Sequence, residues 1–180
     1  QIVPTQDHVF QRCLSPTCQA TYGVEEVHFG CPKCGESLDV DYDWDRLTPP
    51  RKLSDFEQYW GQRHDPLCFS GVWRFHRLLP FAATKYVVTV GEGQTLLQKA
   101  DSLRRFVGLD QGELFLQYEG MNPSGSFKDN GMAAAFTHAR ILGAKRAACA
   151  STGNTSASLA LYCSVTKLMR ALIFIGSGKI

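Results

Sequence analysis

Residues 112–176 read GELFLQYEG, MNPSGSFKDNGMAAAFTHARILGAK, RAACAS, TGNTSASLALYCSVTKLMR and ALIFIG when divided at their turns. The first piece, Gly112–Gly120, has the composition of a strand, and the loop MNPSGS leads out of it into a predicted helix over 127–145. Within that helix Met132, Phe136, Ala139 and Leu142 fall at helical spacing, and Gly143 is placed to stop it. Arg146–Ser151 reads as a short buried strand, the turn TGN opens a second helix over 155–169, and ALIFIG reads as a third strand. Strand, helix, strand, helix, strand with such short loops predicts an α/β domain whose parallel strands are joined by right-handed crossovers. Three parallel strands alone leave apolar faces and edges open, so the expectation is the N-terminal part of a longer protein, or a truncated product.

Moving toward the N-terminus, residues 44–90 look irregular. RLTPPRKL is linker-like, and SDFEQYWGQR suggests a short helix capped by Ser54 with Glu57 at the capping-box position. TKYVVTVGEG looks like a strand ending in a glycine turn. Trp60 and Trp73 read as anchors between a small N-terminal module and the main domain. That module, residues 1–43, carries Cys13-x4-Cys18 and Cys31-x2-Cys34 with short β-rich segments between and after them. So small a segment cannot bury a self-sufficient core and needs a staple. Two close cysteine pairs match a zinc-ribbon-like β module in which Cys13, Cys18, Cys31 and Cys34 close a tetrahedral shell around a structural zinc. Two disulfides, or four free thiols, are the competing readings.

Seven cysteines is an odd number, which disfavours a fully paired disulfide framework and suits a reducing compartment. Cys149 and Cys163 read as core residues, and Cys68 has no identifiable partner in the sequence. With 44% hydrophobic and 20% charged residues, the composition is that of a folded domain. A formal net charge of +2 argues against nucleic acid as a partner, as do the acidic side chains of the ribbon. No apolar run is long enough to cross a membrane, and QIVPTQDHVF does not read as a signal peptide. The expected location is cytoplasmic, or an organellar stroma or matrix had a leader been removed. The five histidines, His8, His28, His64, His76 and His138, show no ligand spacing and read as surface or packing residues.

In an open parallel sheet, ligands gather where strand ends lead into helix N-termini. Two glycine-bearing loops are expected there, Asn122–Lys128 and Ser151–Thr155 (STGNT). Backbone N–H groups at such termini suit carboxylate or phosphate. A helix start also disfavours an ammonium, which suits a lysine acting as a nucleophilic amine, and Lys128 stands there. The plainer reading is a capped helix start, with Ser126 as N-cap and Lys128 and Asp129 solvated.

Taken together, GEGQTLL, NPSGSFKDNGM and STGNTSAS resemble, in this order and spacing, the tryptophan-synthase-β-like (fold type II) pyridoxal-phosphate enzymes, which implies a three-layer α/β fold on a parallel sheet, incomplete in these residues. Within that family the chain is similar to the threonine-synthase branch, which reads GEGxTPL, PTGSFKDRGM and an STGNT-like loop, with a similar cysteine ribbon upstream. The resemblance implies that Lys128 holds pyridoxal phosphate covalently and moves protons, that Phe127 packs beside the cofactor, and that Asn154 bonds its ring oxygen. It further implies that Ser151, Thr152, Gly153 and Thr155 grip the substrate carboxylate and that Ser124 and Ser126 help hold a substrate phosphate. The implied reaction converts O-phospho-L-homoserine and water to L-threonine and phosphate, with the cofactor as electron sink. The family often has Arg where this chain has Asn130, which leaves the local charge network open. The glycine-rich loop that holds the cofactor's phosphate in such enzymes is not among these residues, so a complete site is not expected from them alone.

Two other functions stay open at this stage. One is another enzyme of the same fold, a threonine/serine dehydratase or a cysteine-synthase-like β-replacement enzyme. The other is a non-catalytic zinc-ribbon binding module on an α/β remnant. A small-molecule substrate is the expected partner, without nucleic acid or membrane, and a homodimer is the quaternary expectation. The catalytic region is assigned to 91–180.

Overall fold

The computed structural model describes residues 8–178. The first seven residues of the 1–43 module, most of the stretch read for a signal peptide, and the last two residues of the 91–180 region lie outside them.

Near the N-terminus, β1 (Val9–Cys13), β2 (Thr21–Gly23) and β3 (Leu38–Tyr42) form an antiparallel sheet in the order β2-β1-β3. The register sets Cys13 opposite Leu38 and Arg12 opposite Asp39. Cys13 ends β1 with Cys18 in the turn that follows, and Cys31 and Cys34 bracket the second turn, as the spacing suggested. Gly35, at φ +79°, lets the second turn reverse, with its N–H donating to the Cys31 carbonyl at 2.7 Å.

Residues 44–90 follow as a series of short 3-10 turns and the four-residue helix α1 (Pro66–Phe69). Leu53–Gly61 is 3-10 helix, and Ser54 lies inside it rather than capping it. The Asp55 carboxylate takes the cap role, accepting from the N–H groups of Arg51 and Lys52 at 3.2 and 3.3 Å. The strand expected over TKYVVTVGEG does not form. Thr84–Tyr86 is a 3-10 turn, and the next stretch gives its hydrogen bonds to side chains instead of a neighbouring strand. The Val88 N–H donates to Thr137 Oγ1 at 2.9 Å, and the Val88 carbonyl accepts from Trp73 Nε1 at 2.9 Å. A backbone satisfied in this way has no need of a sheet.

The remainder holds β4 (Leu96–Lys99), α2 (Asp101–Phe106), β5 (Phe115–Tyr118), α3 (Lys128–Ile141), β6 (Arg146–Ala150), α4 (Asn154–Thr166) and β7 (Arg170–Phe174). The unit β6-α4-β7 is the predicted parallel crossover, with Arg146 opposite Arg170 and Ala150 opposite Phe174. Sequence reasoning placed the strand at 112–120 in the same sheet, and this is corrected. Here β5 pairs antiparallel with β4 as a separate two-stranded sheet, Leu96 opposite Tyr118. Pattern alone shows that a segment is a strand, but its partner is set by which backbone reaches it first in space, and β4 does. The strand β6 was expected to be buried; it alternates between exposed and half-buried residues.

Helix α3 stops as foreseen. Gly143 sits at φ +68°, its N–H bonds the Arg140 carbonyl, and the Ala144 N–H reaches the Ala139 carbonyl at 2.9 Å. Helix α4 ends at Lys167, which adopts the left-handed conformation at φ +54°. The core lies between these two helices and the 70–90 segment: Trp73, Val88, Ala133, Phe136, Leu159, Tyr162, Cys163 and Met169. Trp73 is therefore a core residue, fully buried and packed on Phe81, and not an anchor for the N-terminal module. Trp60 is half exposed and stacks under Arg74. The module is joined instead through His138, whose Nε2–H donates to the Val24 carbonyl at 2.6 Å. Cys163 is buried as expected, Cys149 is half-buried beside the core, and Cys68 bonds weakly to Gln62 and Asp65 at 3.6 and 3.8 Å. No helix among the described residues is long and apolar enough to cross a membrane.

Candidate active site

Pro123 and the turn glycine Gly125, at φ +83°, bring the chain from β5 to the start of α3. Lys128 is the first residue of that fourteen-residue helix and is half-buried. Its Nζ lies 4.7 Å from the centre of the Phe127 ring, which is itself 54% exposed. The loop does not leave a strand of the parallel pair, as the sequence suggested. It leaves the β4–β5 sheet through a 3-10 turn, Glu119–Met121.

What holds this helix start in place is its second residue. Asp129 was grouped with Lys128 as solvated in the plainer reading, yet it is fully buried. Its carboxylate accepts from the Ser124 N–H at 2.7 Å, from Ser124 Oγ at 2.6 Å and from Ser158 Oγ. The first two bonds fold the loop back on the helix, and the third reaches across to α4. Ser126 is buried too, and its Oγ accepts from the Lys128 N–H at 3.4 Å, the bond a capping serine makes, although the helix bounds set Phe127 at the cap position.

A second buried carboxylate completes the frame. Glu92, between Gly91 and Gly93, is fully buried and accepts from Ser70 Oγ, from Thr89 Oγ1 at 2.8 Å, and from the Val90 N–H at 3.0 Å. Tyr162 Oη on α4 stands 3.0 Å from Glu92 Oε2 and 2.9 Å from the Asp129 carbonyl. Burial, and then the nearby Glu92 carboxylate, push the Tyr162 phenol far above its ordinary range. Asn122 ties the glycine turn to the lysine loop, its Oδ1 accepting from the Gly93 N–H at 2.8 Å while its Nδ2 donates to Glu119. Gly71 and Gly93 cross so closely that a Cβ on Gly93 would stand 2.6 Å from the Gly71 Cα. Such satisfied polar networks define one arrangement of the segments they join.

The STGNT turn occupies the expected position, at the carboxyl end of β6. Ser151 and Thr155 are half-buried, while Thr152, Gly153 and Asn154 are exposed. Ser151 Oγ accepts from the Gly153 N–H at 3.2 Å, and Ser156 Oγ donates to the Ser151 carbonyl. No side chain caps α4, and the space beside Gly153 is open. The first N–H groups of α4 are thus available to an anionic group.

Sequence reasoning found Lys128 and the STGNT turn and missed Glu92, Asn122, Asp129, Ser158 and Tyr162, which set one against the other. Signals existed for two of these: a carboxylate between two glycines, and an acid directly behind the lysine.

A family model described as pyridoxal-phosphate dependent enzyme matches residues 88–179, from the buried Val88 through both loops to the last strand. The chain belongs to that family. Within the matched segment, Lys128 begins α3 and the start of α4 carries no side-chain cap. Threonine synthase of Methanocaldococcus jannaschii is 37% identical over 172 residues, covering 96% of this chain and 39% of that protein. Threonine synthase of Methanosarcina acetivorans is 41% identical over 151 residues, 84% of this chain and 33% of the relative. That of Synechocystis is 44% identical over 102 residues, 57% and 26% respectively. The chain therefore spans less than half the length of these relatives.

The four ribbon cysteines form a separate cluster whose sulfur atoms all lie within 4.8 Å of one another. Cys13 Sγ is 3.4 Å from Cys34 Sγ, and Cys18 Sγ is 3.8 Å from Cys31 Sγ. No disulfide joins these four sulfurs. The Tyr22 hydroxyl, 3.2 Å from Cys31 Sγ, stabilises the thiolate and brings that thiol down to about 6. Burial pushes Cys13 up to about 12. Four thiols this close could hold a metal ion.

Proposed function

We propose that the protein is a threonine synthase, converting O-phospho-L-homoserine and water to L-threonine and phosphate with pyridoxal phosphate. The observation that carries this reading is the joining of two helix starts, Lys128 on α3 and the open STGNT turn on α4, by the Asp129–Ser158 contact. The similarity to threonine synthases over nearly the whole chain supports it. When bound, the cofactor supplies the electron sink that makes protons on neighbouring carbons removable. Lys128 would be the attachment point, its Nζ carrying the proton. Phe127 would flank the cofactor, and Asn154 would hold it by a hydrogen bond to its ring oxygen. Ser151, Thr152, Gly153 and Thr155, with the uncapped N–H groups of α4, hold the substrate carboxylate. Ser124 and Ser126 stand at the turn toward the substrate phosphate; Ser124 gives its hydroxyl proton to Asp129, so it contributes mainly to the shape of that turn.

In the ribbon, Cys13, Cys18, Cys31 and Cys34 bind a structural zinc, a closed site that supplies folding energy and no chemistry. The converging sulfurs support this. A homodimer in the cytoplasm, with neither nucleic acid nor membrane as partner, completes the reading.

The reaction is tested by incubating the whole protein and pyridoxal phosphate with O-phospho-L-homoserine, L-serine or O-acetyl-L-serine and analysing the products. L-threonine with equimolar phosphate from the first substrate is the expected result. Turnover of serine alone would defeat the assignment in favour of a dehydratase.

A further inference from the structure

Apart from the lysine loop and the cysteine cluster, a cleft of about 280 Å3 opens between the 3-10 segment at Trp60 and the turn after Gly93. Its polar lining comes from Arg74, Thr95, Gln117 and Asn130, with Trp60 at one side. Arg74 is 7% exposed, yet no carboxylate among the described residues pairs with it. Its Nε donates to the Ser70 carbonyl at 3.2 Å, and its guanidinium lies 4.3 Å from the centre of the Trp60 ring. Those two contacts hold the planar group in place, and neither neutralises it.

Buried charges in folded proteins are paired, because taking an ion out of water costs more than a neutral contact returns. Burial also lowers the proton affinity of this guanidinium, the mark of a cation short of a counter-charge. The rest of the lining suits a polar guest. Thr95 Oγ1 accepts from Gln117 Nε2 at 3.3 Å, which leaves the threonine's own hydroxyl proton to give. Asn130 Oδ1 is buried and has no hydrogen-bond partner, so it is open to an O–H or N–H on the same guest and not to its anionic oxygens. The nearby backbone donors are already spent, Gly71 N–H on the Glu92 carbonyl and Gly93 N–H on Asn122 Oδ1. Recognition here rests on side chains, with the arginine as the charge.

We propose that this cleft is an oxyanion-binding site, in which Arg74, held over the Trp60 ring, pairs with a carboxylate or phosphate group that also accepts from Thr95. The guanidinium fork matches either group in two-point fashion. The assignment is independent of the reaction proposed above, since it requires neither cofactor nor turnover.

The test is an NMR titration of the protein at constant ionic strength, following the Arg74 Nε–H and Trp60 indole N–H signals. Orthophosphate and acetate are the two arms and chloride is the control. Saturable shifts of both signals, at concentrations at least about tenfold below any chloride effect, are expected. The arm that saturates at lower concentration identifies the group as phosphate or carboxylate. Arg74→Gln should remove the saturation. If that variant does not fold, Thr95→Asp decides, because it keeps Arg74 and supplies the missing counter-charge internally. It should abolish saturation and raise the melting temperature. Shifts that never saturate, or saturation unchanged in Thr95→Asp, would overturn the proposal.

Discussion

The carboxylate of Asp129 accepts a hydrogen bond from the hydroxyl of Ser158, joining the first turn of α3 to the middle of the first half of α4. The same carboxylate fixes the Ser124 backbone and side chain. One buried acid therefore sets the loop before Lys128 and the distance of that loop from the helix that begins at Asn154. The backbone position of the lysine is thus fixed through its neighbour in sequence.

Asp129→Asn should be costly although it is nearly isosteric. An amide NH2 would face donors at Ser124 and Ser158, leaving at least one buried group unsatisfied. A loss of about 2–3 kcal/mol is expected in urea denaturation. Asp129→Asn should also weaken cofactor binding more than Phe127→Leu does, as read by the visible absorbance of protein titrated with pyridoxal phosphate.

Lys128→Ala should abolish covalent cofactor capture. Borohydride reduction of the pyridoxal-phosphate-treated protein, digestion and mass spectrometry should place the adduct on the peptide containing Lys128, with none in the variant. An adduct of equal yield elsewhere in Lys128→Ala would refute the assignment.

Two glycines with nearly the same positive φ should respond differently to alanine. At Gly125, φ +83°, a Cβ meets nothing within 4 Å, so only the left-handed backbone is penalised, about 1–2 kcal/mol. At Gly93, φ +81°, the same Cβ also runs into the backbone of Gly71. Gly93→Ala should therefore lose clearly more, upward of about 3 kcal/mol by chemical denaturation, since one segment must move.

The ribbon should take up Co2+ with the absorption of a tetrahedral thiolate site, and chelation should bleach it. Cys18→Ser should weaken uptake beyond the roughly 10- to 100-fold that losing an outer partner costs. Thiolates bind and thiols do not, so uptake releases protons and apparent affinity falls as pH is lowered. Equal uptake by wild type and Cys18→Ser would rule out the four-thiolate site.

Alkaline pH should destabilise the fold through Tyr162. Its phenol ionises near 10 in the unfolded chain and higher in the folded one, so the folded state holds the proton more tightly. The stability this provides is fully present below about pH 10 and is lost as pH rises above it, by about 1.4 kcal/mol per pH unit for one proton. Tyr162→Phe should start less stable by about 1–3 kcal/mol, because Glu92 loses a donor. Its stability should then decline less steeply above pH 10, which denaturation at a series of pH values would show.

The ends of α3, the crossover β6-α4-β7, the paired cysteine turns and the placement of the two glycine-bearing loops before helix starts were legible in the chain itself. Each depends on residues close in sequence: a 3.6-residue period, a glycine at a stop, two cysteines in one turn. The partner of β5 was not legible, because strand character is local while pairing is decided by which backbone arrives alongside. The roles of Trp73 and of the 87–90 stretch stayed hidden for a similar reason. The backbone there is satisfied by Thr137 and Trp73, 49 and 15 residues from Val88. The sequence by itself determined that a lysine, Lys128, opens a helix behind a glycine turn. Only the tertiary structure decided how that helix is held, through Asp129, Glu92, Tyr162 and Ser158. Buried polar groups must find partners wherever the packed chain offers them, and that choice has no signature in the local pattern.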